Sequence, residues 1–69
     1  MRNMLIKTGE ALYGPHWQRE LARALHVNER TMRRWVSGET NPPNSINSDL
    51  LLLLHERKRQ LETILKNAR

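Results

Sequence analysis

Three arginines, Arg30, Arg33 and Arg34, follow Glu29 within one short stretch of the chain. A guanidinium offers two parallel N–H donors, a fork that fits phosphate oxygens or the O6 and N7 of guanine. On a helix, Arg34 lies one turn beyond Arg30 on the same face. Glu29 has two readings. As an acceptor it suits cytosine N4; as a first-turn acid it suits the helix dipole and an ion pair with Arg33. No other residue set has the pattern of a reactive centre. His16, His26 and His55 fall in different elements, without a cysteine or a close pair of acids beside them. No ligand pair has metal-binding spacing, and the glycines form no phosphate loop. A chain this short is also too small to enclose a substrate pocket of ordinary size. The residues point to binding rather than catalysis, with no metal, no cofactor and no small-molecule ligand expected.

The arginines need a rigid element to carry them. The stretch from Gln18 to Ser37 supplies one. Leu21, Ala22 and Leu25 form one face of a helix, and Met32 and Trp35 form one face of a second. Only His26, Val27 and Asn28 separate the two apolar sets. Helices joined so tightly must cross steeply and share Val27 between them. Glu29, Arg30, Arg33, Arg34 and Ser37 then face away from the contact. Asn28 is a good N-cap for the second of these helices.

This stretch resembles the helix-turn-helix of phage repressors of the Cro and cI type. Leu21 and Ala22 stand where that family has its apolar and its small residue. Leu25, Val27, Met32 and Trp35 match its buried positions, and Gly38-Glu39-Thr40-Asn41-Pro42 resembles its exit from the recognition helix. The likeness covers Gln18 to Pro42. One position departs: the family usually has Gly in the turn, where this chain has His26. A left-handed backbone there costs His less than it would a β-branched residue. The resemblance implies base contacts from Glu29, Arg30, Arg33 and Arg34 in the major groove. It also implies phosphate contacts from Gln18, at the amino end of the preceding helix, and from Arg19 and Asn28. Ser37, Thr40 and Asn41 fall beside the groove and are further phosphate candidates, although Thr40 and Asn41 equally suit an ordinary solvent loop. The size and layout are also compatible with repressors encoded beside anti-CRISPR genes.

Composition agrees with an acidic partner. Twelve Lys and Arg against seven Asp and Glu give a formal charge of +5 and a pI near 10.8. The 69 residues make a single domain with a limited core, and without cysteine no disulfide supplements it. No signal peptide is expected, because the apolar start from Met4 to Ile6 is short and Lys7 follows it. The run Leu50 to Leu54 is far short of a membrane span. The chain reads as cytoplasmic, with no membrane partner.

The fold expected is all-α, about four helices ending in a long one. Residues 1–44 hold the helix-turn-helix part and 45–69 the last helix. Arg2 to Tyr13 form the first helix, with Leu5, Ile6, Gly9, Leu12 and Tyr13 on one side and Gly9 there to permit close packing. Gly14-Pro15 ends it, and a second helix starts near Pro15 or His16 with Trp17 in the core. The last helix is read as Asn47 to Arg69, capped by Asn47 or Ser48. Leu50, Leu53 and Leu54 share one side of it, while Leu51 and Leu52 point elsewhere. A symmetry mate would cover the leucines that one core cannot, with Leu51, Leu54, Leu61, Ile64, Leu65 and Ala68 as the dimer interface. The partners expected are double-stranded DNA with an inverted-repeat operator, and a second copy of the chain. The function expected is a homodimeric transcriptional repressor, acting on its own promoter. The competing expectation is an antitoxin-like module whose last helix holds a protein partner.

Overall fold

The computed structural model describes residues 2–68, with the side chain of Arg2 left aside. Helix α1 spans Arg2–Tyr13, a 3-10 turn covers Gly14–His16, and α2 runs Trp17–Leu25. Helix α3 spans Glu29–Ser37 and α4 Ser45–Asn67. Helices α1, α2 and α3 pack together, and the first half of α4 lies against α1. The fold is all-helical, with no strand among the described residues.

The core is one cluster to which every helix contributes. Leu5 comes from α1, Trp17, Leu21 and Ala22 from α2, Met32 and Trp35 from α3, and Ile46 and Leu50 from α4. Burying each large apolar side chain contributes roughly 1.5–3 kcal/mol, so these few residues carry most of what a small chain can gain. Ala22 is 1% exposed. Its small side chain lets α2 and α3 close on each other. Gly9 has the same role between α1 and α2. A Cβ built there would stand 2.1 Å from Cε3 of Trp17. Trp17 is therefore a core residue lying on the backbone of α1, not a platform open to a base.

The turn between α2 and α3 is closed by a Schellman motif. The N–H of Val27 donates to the carbonyl of Ala22 at 2.9 Å, and that of His26 to Arg23 at 3.2 Å. His26 takes the left-handed conformation this motif needs, with φ 60° and ψ 38°. It is the one non-glycine residue at positive φ among those described. The departure from glycine thus leaves the turn geometry intact. Asn28 then caps α3: its Oδ1 accepts the N–H of Thr31 at 2.8 Å, an interaction worth about 1 kcal/mol. Gly38, at φ 86°, ends α3 and donates to Trp35.

Two element boundaries differ from the sequence reading. The chain turns at Gly14 with φ 81°, and Pro15 then occupies a 3-10 turn, so α2 begins at Trp17. The last helix begins at Ser45, ahead of the expected Asn47 or Ser48 caps, and Asn44 precedes it without a side-chain cap. The cause is Ile46. It is buried in the core, and its N–H already donates to Pro43 at 3.0 Å. The expected end at Arg69 lies outside the described residues.

Helix α4 is about 34 Å long at 1.5 Å per residue, and Arg57 is its last side chain that is not exposed. Its Nη1 donates to the carbonyl of Leu12 at 3.1 Å, and its guanidinium lies over the Tyr13 ring at 5.8 Å. The α1 C-terminus leaves such carbonyls without partners, so Arg57 fastens α4 to a vacancy in the α1 ladder. Beyond it every described side chain is exposed. Leu61, Ile64 and Leu65 are 52%, 63% and 68% accessible. No helix is long and apolar enough to cross a membrane among the described residues.

Candidate nucleic-acid interface

Helix α3 has two opposed faces. Met32 and Trp35 are buried, and Glu29, Arg30, Arg33, Arg34 and Ser37 are all exposed. The division follows from the 3.6-residue period once Trp35 is fixed in the core. The exposed face meets the amino end of α2 across an open groove lined by Pro15, His16, Gln18, Arg19, Glu29 and Arg33. A second depression, further along α3, is lined by Arg30, Arg33, Arg34, Ser37 and Glu39. Arg33 belongs to both. The fold therefore brings Gln18, Arg19, Glu29, Arg30, Arg33, Arg34 and Ser37 onto one continuous surface.

Ion pairs organise this surface. Arg19 Nε donates to Glu29 Oε1 at 3.0 Å, linking α2 to the start of α3. Arg33 Nη1 stands 3.9 Å from the other oxygen of Glu29, and Arg34 Nε 3.4 Å from Glu39 Oε2. The side chains involved are about half or more exposed, so each pair contributes no more than about 1 kcal/mol to stability. Their effect is to aim the guanidinium groups. Arg30 has no carboxylate within ion-pair distance among the described residues. Four arginines, Arg19, Arg30, Arg33 and Arg34, meet two glutamates here, so the surface stays positive.

The remaining candidates are placed as follows. Asn28 commits Oδ1 to the cap of α3, which leaves its amide hydrogens as donors. Ser37 Oγ donates its single hydrogen to the carbonyl of Arg34 at 3.1 Å and accepts from the N–H of Glu39. The backbone N–H of Thr40 also donates to that carbonyl at 3.3 Å. The side chains of Thr40 and Asn41 are exposed just past the Gly38 turn.

Three contacts escaped the sequence reading, among them Arg19 with Glu29, which lie ten residues apart on different helices. Glu39 reaches Arg34 only because Gly38 folds the chain back, a relation that helical spacing does not carry. Arg57 to Leu12 joins residues 45 apart, and nothing local in either stretch announces it. No group of three or more His, Cys, Asp or Glu side chains is placed to hold a metal among the described residues. No protein-family model, no curated protein and no solved structure matches this chain.

Proposed function

We propose that this protein is a sequence-specific regulator of transcription that binds double-stranded DNA in the cytoplasm. Helix α3 enters the major groove and α2 rests on the sugar-phosphate backbone. One observation carries this reading: α3 buries Met32 and Trp35 and turns Arg30, Arg33 and Arg34 outward beside the amino end of a tightly crossed α2. Arg30, with no carboxylate in ion-pair reach among the described residues, and Arg34 are the base readers, each matched to a guanine edge. Gln18, the amide hydrogens of Asn28, Thr40 and Asn41 hold phosphates, and Arg19 joins them when it leaves Glu29. Ser37 joins them only by releasing Arg34. Glu29 and Arg33 complete the reading face.

One α3 reads too few base pairs to select a promoter. The protein therefore acts as a two-fold dimer on an inverted repeat, with half-site centres about 34 Å apart. It works as a repressor by occupying its own promoter, and needs no cofactor or small ligand. The resemblance to Cro and cI repressors and the +5 charge support the same reading. The test is binding to the DNA upstream of its own gene, measured by fluorescence anisotropy against random DNA. Equal affinity for both, or none for either, overturns the proposal.

The exposed Leu61, Ile64 and Leu65 favour a second reading, in which α4 captures a different protein as an antitoxin does. A salt-insensitive, tight complex with a neighbouring gene product would select it.

A further inference from the structure

The uncovered leucines of α4 are not scattered. Leu51, Leu54, Leu61, Leu65 and Ala68 recur at the alternating intervals of a heptad seam, and only Lys58 interrupts it. This seam is distinct from the face that α4 gives its own body. That face runs through Ile46, Leu50 and Arg57, of which the first two are buried and the third is bound to Leu12. Leu51, Leu61 and Leu65 remain open, and Leu54, half-buried, lies at the border.

We propose that α4 pairs along this seam with α4 of a second copy of the chain, and that the two helices run antiparallel. Leu51 then faces Ala68 of the second copy, Leu54 faces its Leu65, and Lys58 faces its Leu61. The proposal rests on the dimer in the reading above and gives it an orientation.

Charge decides the direction. In a parallel pair, identical seam positions meet, so Lys58 faces its own copy with a further cation, Arg57, on the flank. The one attraction a parallel pair offers is Arg57 with Glu62. Arg57 is already engaged, donating to Leu12 and lying over Tyr13. In the antiparallel register, Lys58 lies opposite a leucine with Glu62 of the second copy next to it. The two-fold axis makes this ion pair twice. The helix dipoles also oppose, which favours the antiparallel arrangement.

The chain contains no cysteine, so single cysteines report the register without background. Leu51→Cys and Ala68→Cys replace exposed side chains. Within one helix the two positions are about 26 Å apart and cannot form a disulfide with each other. The expected result is a covalent dimer when the two single variants are reduced, mixed and oxidised, and none from either alone. The variant carrying both should close into a doubly linked dimer. Cross-linking of Leu51→Cys alone would mean parallel helices and overturns the orientation while keeping the dimer. A two-chain mass for the wild type by sedimentation, with no cross-link in any sample, overturns the seam. A one-chain mass at micromolar concentration overturns the dimer as well. None of these readouts involves DNA, so failure here and failure to bind a promoter are separate results.

Discussion

The indole of Trp17 lies flat against the backbone of α1 at Gly9, so closely that a single methyl group there would stand 2.1 Å from Cε3. Alanine is the better helix former by about 1 kcal/mol. Packing overrides that preference, because Trp17 is buried and cannot retreat. Gly9→Ala should therefore destabilise the fold by roughly 1–3 kcal/mol. Thermal and urea melts followed by circular dichroism measure it, and an unchanged or raised midpoint would remove Gly9 from the role given to it.

His26 is an exposed L-residue held at φ 60°. Glycine adopts that backbone without the roughly 1–2 kcal/mol cost of a left-handed conformation. His26→Gly should raise stability by about 1 kcal/mol, and His26→Val should lower it. Denaturant midpoints for the three chains would then order as Gly, His, Val; any other order contradicts the strain assigned to the turn.

Arg57→Met keeps much of the aliphatic stem and removes both the hydrogen bond to Leu12 and the charge over Tyr13. The expected loss is about 1–2 kcal/mol. Hydrogen exchange offers a sharper reading. Protection should fall at the end of α1 and in the second half of α4, and stay unchanged around Trp35. Uniform loss across the chain would show that Arg57 does not fasten these two ends.

For DNA, Arg30→Ala and Arg34→Ala should each cost about 1–3 kcal/mol per half-site and relax preference at one base pair. Gln18→Ala should weaken all sequences alike. Affinity should fall linearly with salt on logarithmic axes. Full promoter affinity in the double arginine variant would be incompatible with groove reading by α3.

Glu29 restrains Arg19 and Arg33 through its two oxygens. Glu29→Gln releases them to phosphates. Binding to random DNA should strengthen, and the salt slope should steepen by about one for each arginine released. An identical slope would show that the two arginines already meet phosphates with Glu29 in place.

The sequence made the helices legible where one residue has one dominant use. Met32 and Trp35 have only an apolar face to join, and Asn28 before an acidic turn is a cap. The bounds of α1 and the end of α2 follow from Gly14 and from the His26 turn. What stayed hidden depends on residues distant in the chain. The start of α4 is set by Ile46 reaching the core formed by α1 to α3, which overrides the local capping preference of Asn47 and Ser48. Arg57 reads as one more charge among Glu56, Lys58 and Arg59 until the end of α1 is brought beneath it. In the site, helical spacing predicts that the arginines share a face. The distribution of their ion pairs depends on how the Gly38 turn returns Glu39 and how α2 carries Arg19 to Glu29.

The overhang of α4 has a bearing on dosage. Residues 58–68 carry no buried or half-buried side chain. Eleven residues are fewer than the ~12–15 at which an isolated helix becomes even marginal in water. Their order is thus drawn from the anchored half and from whatever covers the seam. If a second copy covers it, a newly made, dilute chain carries a frayed, leucine-bearing tail that proteases can cut, and an abundant one does not. A repressor built this way would register its own concentration before it reaches DNA, with turnover setting the threshold below which the promoter stays open.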